Sequence, residues 1–562
     1  MAELNLQYEK IGKKMPKVSS VFIETLKNHK VDRFFCVPGE SYLPVMNELV
    51  SNPIIDVVTC RHEGGAGFMA VADAKCTGEP GIAYVSRGPG ATNISIAVHS
   101  AHQGGIPMIV FVGQVSRKNL GKMHLQEMDF TKTFADMTKL VEEIKDPENL
   151  PKIISNAFKV AKEGIPGPVV ISIPTDILET EISNKSEYPI NLIYPEPNNH
   201  EIEETLDHIK KAQKPILVVG GELQFSEKSK VLIKEIAKKF SLPVLCTYEH
   251  QDLIDNDSIY YAGELGLRPP EPIKQNALQA DLVICIGHQM NGVPNMGYTF
   301  PTDTQKFIHV LPEEKFFKKL FKTDLSIISK GENFLNKLNN TDYISNKNTD
   351  WVNECHDRYL NNKATLDIRK AEDGLDFGAL IDELGKQVPE DSIITNDAGN
   401  FTSWMHHRFP FKSKMKLIGS EIGAMGMGIP AGIAASLRNH DKKVFVIVGD
   451  GGALMTGSEL ATASLKKAKI IVIVANNNHY GTIRYHQEVH YPKREHYATT
   501  LLNPNFEEYA KSFGLKGFTI NSIDQIQPTL KKAIDLNESV LIEYNMSLEI
   551  NTSTTTIEEL QN

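Results

Sequence analysis

Cysteine is scarce in this 562-residue sequence: the six present, Cys36, Cys60, Cys76, Cys246, Cys285 and Cys355, are far apart and form no CxxC or Cys/His ligand spacing. Neither a disulfide framework nor a zinc site is indicated, and a reducing compartment fits best. No run of 18 uncharged apolar residues occurs, and the N-terminal MAELNLQYEKIGKKMPKVSS lacks the apolar core of a secretory leader. A soluble, unanchored, cytoplasmic protein is expected. An excess of basic charge is also missing: 60 Lys+Arg stand against 70 Asp+Glu, a net charge of -10. A nucleic-acid binder of this balance needs a concentrated basic stripe. The cluster from Lys315 to Lys322 is short and interspersed with Phe, and it reads as an amphipathic helix. Neither nucleic acid nor membrane is therefore expected as a partner.

What is present is an alternation of strand-length apolar runs and helix-length amphipathic segments, the pattern of parallel sheets covered by helices. At about 150 residues per domain, the length predicts three or four domains. The fold class is α/β, as three consecutive doubly wound domains with mainly parallel sheets. The first, residues 1–185, has strands at 33–37, 54–59, 81–86, 108–113 and 169–173. A Pro/Asn-rich stretch, NKSEYPINLIYPEPNNH, reads as a linker. A central domain at 200–345 has strands at 215–220, 243–247, 281–287 and 306–310, with a helix at 226–240. The third, 365–562, has strands at 392–397, 444–449, 470–475 and 539–544. Three similar units in series suggest a duplicated fold, and ligands in such sheets bind beyond the carboxyl ends of the strands.

Two strand ends carry the strongest pattern. VFVIV is followed by Gly449-Asp450-Gly451-Gly452, with a helix expected near Gly457, and IIVIVA by Asn476-Asn477-Asn478-His479. Asp450 and Asn477 are 27 residues apart, the length of one strand-helix-strand unit, so they can face each other across adjacent strand termini. Carboxylate and amide oxygens suit Mg²⁺, which completes its shell with phosphate and water, and glycines let a diphosphate approach the backbone. Taken singly, each half also fits a Gly-rich turn or an Asn-rich loop. A second pattern, Arg61-His62-Glu63-Gly64-Gly65-Ala66-Gly67, follows IIDVVT. A zinc-protease HExxH fails, since Ala66 stands in the place of the second His. Glu63 can also be read as a carboxylate at a helix start.

The GDG opening and double-Asn close resemble the cofactor signature of the thiamine diphosphate-dependent enzymes. The resemblance is nearest to the acetolactate synthase-like branch and runs over nearly the whole chain. It implies an N-terminal pyrimidine-binding, a central, and a C-terminal diphosphate- and Mg-binding domain. It also implies thiamine diphosphate and Mg²⁺ as cofactors, with Asp450, Asn477 and the carbonyl of His479 as metal ligands. Gly449, Gly451, Gly452 and Gly481 would line the cofactor. Glu63 would hydrogen-bond the aminopyrimidine, where a shielded carboxyl can share its proton with the ring nitrogen. Met425, in GSEIGAMGMGIPAGIAA, would hold the cofactor's bend. Gln114 matches a Gln beside the cofactor, although a polar strand-end residue is the plainer reading. Glu40, in VPGESY, stands where the pyruvate decarboxylase branch has an acid and could be a second proton donor, or could face solvent. His99 and His102, on a helix, either approach the site or pack.

Several positions depart from the branch. Asn400 stands roughly where a diphosphate-contacting Gln is usual, and His486 replaces a Trp that favours a larger acceptor. GELGLRPPEP and GHQMNGVP occupy the places of FAD-binding loops, which makes bound FAD doubtful. The expected activity is decarboxylation of a 2-oxo acid followed by carboligation, with pyruvate the first candidate. A non-oxidative decarboxylase or an aldehyde or acyl-CoA lyase of the same family is the alternative. A nicotinamide-dependent oxidoreductase is remote: no GxGxxG with a following acid is present, and Gly423, Gly426 and Gly428 have the wrong spacing. A catalytically silent scaffold is disfavoured by the joint presence of Glu63, Asp450 and Asn477. The resemblance further implies a homodimer or homotetramer with intersubunit active sites, acting on a small molecule. A regulatory subunit is left open.

Overall fold

The computed structural model describes residues 15–562, apart from Lys318 and Lys493. The chain divides into two compact units. The first comprises residues 15–70, Pro80–His102 and Ile106–Leu192; the second comprises Val71–Glu79, Gln103–Gly105 and Ile193–Asn562. Among the described residues no helix is long and apolar enough to cross a membrane.

The first unit is built on strands β1 (Arg33–Cys36), β2 (Asp56–Thr59), β3 (Gly81–Ser86), β4 (Met108–Gln114), β5 (Leu140–Glu143) and β6 (Pro168–Pro174). They form a parallel sheet in the order β2-β1-β3-β4-β6-β5. β4 and β6 are buried at every position, as strands covered on both faces must be, which is why they read as unbroken apolar runs. Helix Leu150–Lys162 shows the complementary period: Ile154, Ala157, Phe158 and Ala161 form its buried stripe, and Lys159 and Lys162 fall in its last turn.

The second unit holds two further sheets. Strands β7 (Pro215–Val219), β8 (Val244–Thr247), β9 (Tyr261–Leu265), β10 (Leu282–Ile286), β11 (Lys306–Leu311) and β12 (Leu325–Ile328) are ordered β12-β11-β10-β7-β8-β9. Strands β13 (Ile393–Asn396), β14 (Lys416–Ile418), β15 (Val444–Gly449), β16 (Ile471–Asn476), β17 (Lys516–Ile520) and β18 (Val540–Asn545) are ordered β14-β13-β15-β16-β18-β17. All pairings in both are parallel. The first and third sheets have the same strand order, in line with a duplicated unit. The middle sheet does not: read from β9 it runs 3-2-1-4-5-6, the order of dinucleotide-binding folds.

Three local readings are corrected. Around Lys315 the chain makes only a 3-10 turn, Glu314–Phe316, and among the described residues of that cluster no α-helix follows. The helix expected near Gly457 begins at Asp450, immediately after β15. Five strands were not anticipated, β5, β9, β12, β14 and β17, and all five lie at sheet edges. They are three to five residues long and each carries a Gly, Ser or charged residue, so they lack the long apolar run that marks a central strand.

In the second unit, helix Glu227–Phe240 is anchored by a buried ion pair. Lys230 Nζ donates to Asp252 Oδ2 at 3.1 Å and to the carbonyls of Ser413 and Met415 at 3.0 and 2.8 Å. Both charged side chains are almost fully enclosed. Removing Asp252 leaves the enclosed Lys230 ammonium with two carbonyls and, at 3.8 Å, only the exposed Glu227 carboxylate; breaking a buried pair costs up to about 3–5 kcal/mol. Asp252→Ala is expected to lower the thermal unfolding midpoint by several degrees, with partial recovery in the double variant Lys230→Met, Asp252→Leu. A midpoint unchanged in the single variant contradicts this account.

Candidate functional site

The chain leaves β13, forms β14 on one side, and returns to form β15 on the other, so the β13/β15 border is the topological switch point of the third sheet. Crevices at such points lie beyond the carboxyl ends of the strands. The register places Val448 beside Val474 and Gly449 beside Ala475, so β15 and β16 end at the same level. A cavity of about 290 Å³ opens there. Its wall includes Gly399 and Asn400 after β13, Met425 after β14, Gly449, Asp450, Gly451 and Gly452 at the end of β15, and Asn477, His479 and Gly481 after β16. All nine cofactor-contacting positions expected in this part of the sequence therefore meet in one cavity.

The glycines are required by close approach. A methyl group on Gly451 would lie 2.6 Å from Tyr480 Cε1, and one on Gly452 2.5 Å from Asp397 Oδ2. Asp450 is buried, and its Oδ1 accepts from Gly451 N at 2.9 Å and its Oδ2 from Asn503 Nδ2 at 2.8 Å. Burial pushes its carboxyl up to about 6, against the downward pull of these donors and of the Asn478 and His479 N–H groups. Asn477 Oδ1 accepts from His479 N at 3.0 Å, and Asn478 takes a left-handed φ of 57°, which folds the loop back over the strand end. Among the described residues no group of three His, Cys, Asp or Glu side chains could hold a metal. A cation here would use one carboxylate, an amide oxygen and a main-chain carbonyl. That all-oxygen set suits Mg²⁺, which takes few protein ligands.

Three supporting residues were not foreseen. Asp397, buried after β13, accepts Gly426 N at both carboxylate oxygens, 2.9 and 3.0 Å, and also Ala398 N at 2.8 Å. It thereby fixes the turn that carries Met425, and burial pushes its own carboxyl up to about 6. Asn503 ties Asp450 to Asn476 and Asn478. Asn551 accepts from Asn400 Nδ2 at 2.7 Å, and both amides donate to Gly481 O, at 3.1 Å from Asn400 and 3.3 Å from Asn551. Asp397 stands at a strand end, where a signal could have been sought; Asn503 and Asn551 belong to no local motif. His486 does not line this cavity; Ile483 does, from the same helix, Gly481–His490. His486 is exposed and stacks on His490.

In the first unit the remaining candidates also sit at strand ends. Glu40 follows β1, Glu63 opens helix Glu63–Thr77 after β2, and Gln114 closes β4. Glu63 Oε2 accepts from Asn93 Nδ2 at 2.8 Å. Glu40 Oε1 pairs with Arg87 Nη1 at 3.1 Å, and its side chain is 64% exposed, nearer the solvent-facing reading. Gln114 is buried; its Nε2 donates to Met128 O at 2.8 Å and to Glu143 Oε2 at 3.2 Å, and its Oε1 accepts from Val115 N. It lines a cavity of about 680 Å³ with Glu127, Asp129 and Glu142, and neither Glu40 nor Glu63 belongs to that wall. His99 and His102 lie on helix Arg87–Gln103.

Comparison with known proteins places the chain in a family. Residues 16–133 match the N-terminal TPP binding domain of the thiamine pyrophosphate enzymes, 202–338 the central domain, and 397–544 the C-terminal TPP binding domain. The chain belongs to that enzyme family. It is 29% identical over 543 residues to the acetolactate synthase large subunit of Lactococcus lactis, covering 94% of this chain and 92% of that protein. It is 27% identical over 535 residues to the acetolactate synthase isozyme 2 large subunit of Escherichia coli, covering 93% and 94%. With the mitochondrial acetolactate synthase catalytic subunit of Saccharomyces cerevisiae the figures are 26% over 558 residues, 94% and 80%. The protein is an acetolactate synthase-like, thiamine pyrophosphate-dependent enzyme of the transferase/lyase class.

Two substitutions test the cavity. Gly452→Ala should weaken thiamine diphosphate binding at least tenfold, read by calorimetry with Mg²⁺ present. Asp397→Ala removes the acceptor for buried N–H groups, at a cost of about 1–3 kcal/mol each, and should lower both cofactor affinity and the unfolding midpoint. Wild-type affinity in both variants contradicts the assignment.

Proposed function

We propose that the protein is a Mg²⁺-assisted 2-oxo acid decarboxylase and carboligase with pyruvate as its first substrate. The observation that carries this reading is the cavity at the β13/β15 switch point, where Asp450, Asn477, the glycines and Met425 converge. Thiamine diphosphate, when bound, supplies a carbon nucleophile and an electron sink for the pair released as CO₂ leaves a 2-oxo acid. Asp450, Asn477 and the His479 carbonyl hold the cation that neutralises the diphosphate, and the glycines admit its oxygens to the backbone. Met425 supports the bend of the cofactor, and Asn400 helps shape the wall beside Gly481. Glu63 holds a proton at the pyrimidine ring nitrogen. Gln114, beside the cofactor, and Glu40, as a second proton donor, are assigned supporting roles; the ion pair with Arg87 holds the Glu40 carboxylate at its strand end.

The boundaries 1–185, 200–345 and 365–562 are proposed as the pyrimidine-binding, central and diphosphate-binding domains. A homodimer or homotetramer is proposed, supported by the family and by the exposed Leu454 and Met455 on the helix that begins at Asp450. A cytoplasmic location accords with the six free cysteines.

The reading is tested with purified protein, pyruvate, thiamine diphosphate and Mg²⁺, by CO₂ release and product identification with and without FAD. Acetolactate is the expected product, and absence of CO₂ release from a cofactor-loaded protein removes pyruvate. Glu63→Gln should retain the cofactor and lose roughly two to four orders of magnitude in turnover, the usual worth of a positioned proton donor. Unchanged turnover takes Glu63 out of the mechanism.

A further inference from the structure

Part of the cofactor cavity's wall comes from the middle sheet: Tyr248 follows β8, and Leu267 and Arg268 follow β9. Among the described residues of that wall, Arg268 is the one side chain with a permanent positive charge. It is exposed at the rim, and among the described residues no carboxylate pairs with it. Arg484, beside Tyr485 on helix Gly481–His490, is by contrast paired with Glu488 at 2.5 Å. Arg268 also lines a smaller adjoining cavity, where the carboxylate in the wall, Glu264, faces His406 Nδ1 at 4.0 Å instead.

The guanidinium has a defined place. Its Cζ lies 3.7 Å from the centroid of the Tyr485 ring, a contact made through the face of a planar cation. Pro269 and Pro270 restrict the backbone just beyond it, before helix Glu271–Leu278 begins. Tyr485 is four residues after Gly481, so the two share a face of their helix, one turn apart. Gly399, Asn400, Arg268 and Tyr485 line the smaller cavity together, and the first three line the cofactor cavity as well. Arg268 therefore stands at the same end of the cofactor cavity as Asn400 and Gly481, the end read as holding the diphosphate.

That end is short of a donor. Asn400 stands roughly where a diphosphate-contacting Gln is usual, but both N–H groups of its amide are engaged within the protein: Nδ2 donates to Asn551 Oδ1 at 2.7 Å and to Gly481 O at 3.1 Å. A terminal phosphate carries about two negative charges near neutral pH, and the inner phosphate of a diphosphate adds another. A divalent cation offsets two of them, while Asp450 adds a carboxylate at the same strand ends. The remaining negative charge meets no permanent cation in this wall other than Arg268. A guanidinium presents a fork of donors that matches two oxygens of one phosphate.

We propose that Arg268 is a diphosphate-binding residue, supplying from the middle sheet the donor that Asn400 does not. The proposal rests on the reading of the first cavity as the thiamine diphosphate site, and it deepens that reading by naming a contact outside both strand-end patterns.

The test is calorimetry on the full-length protein freed of cofactor, titrated with thiamine diphosphate and, separately, with inorganic diphosphate, each with Mg²⁺ in excess. Arg268→Gln should raise Kd for both probes by about tenfold or more, the worth of one hydrogen bond to a charged group, and should make affinity less sensitive to salt. Arg268→Lys, which keeps the charge and loses the fork, should recover part of the loss. Unchanged Kd for both probes in Arg268→Gln overturns the proposal. So does a rise in the KM for pyruvate with cofactor affinity unaltered, which would assign the guanidinium to a substrate carboxylate. Wild-type protein that binds neither probe removes the cofactor site and the proposal with it; wild-type binding that the variant shares in full removes Arg268 alone.

Discussion

The site depends on one constraint: parallel strands that pair in register must stop together. β13, β15 and β16 are neighbours, and their apolar runs are long enough to be buried on both faces. Where these runs end, the backbone has no further strand partner and turns outward at one edge. The polar residues that follow each run are therefore gathered at a common edge without being adjacent in sequence. Because the order reverses between β13 and β15, the turns diverge and leave a crevice, and Asp450 is buried in its floor. A buried carboxylate is expensive unless hydrogen-bonded or paired with a cation. Four surrounding N–H donors supply part of that compensation, and a bound divalent cation would supply the rest.

The same constraint explains the second tier of the site. Asp397 spends its carboxylate on the N–H groups of the turn after β14, holding Met425 at the cavity wall. Asn503 and Asn551 arrive from segments far along the chain and immobilise Asp450 and Gly481 respectively. None of the three needs to touch substrate. Their work is to keep first-contact groups from relaxing into alternative hydrogen bonds, which matters most in a pocket built from loops and glycines.

How much of this was legible in the sequence follows from the range of the forces involved. Central strands announce themselves, because burial on both faces demands an apolar run: Gly81–Ser86 and Val444–Gly449 were placed to the residue. Edge strands such as Leu140–Glu143, intermediate in burial at each position, make no such demand and were missed. The Asp450 and Asn477 pair was readable because one strand-helix-strand unit fixes their separation. Asn503 and Asn551 were not, since only the tertiary fold brings them there. Gln114 stands at the end of β4 as expected, and its amide also donates to Met128 O and Glu143 Oε2, contacts that no local pattern predicts. The differing order of the middle sheet was likewise invisible, because similar runs of strand and helix can be wound in either sequence.

The central claim is that the crevice between β13 and β15 binds the diphosphate end of the cofactor through a cation held by Asp450, Asn477 and the His479 carbonyl. The most direct test is a crystal structure with thiamine diphosphate and Mn²⁺ in place of Mg²⁺, with the metal located by its anomalous scattering. The account predicts a single strong peak within about 2.0–2.3 Å of those three oxygens, bridged to the diphosphate. A metal peak elsewhere, or a diphosphate bound outside the crevice, would contradict it.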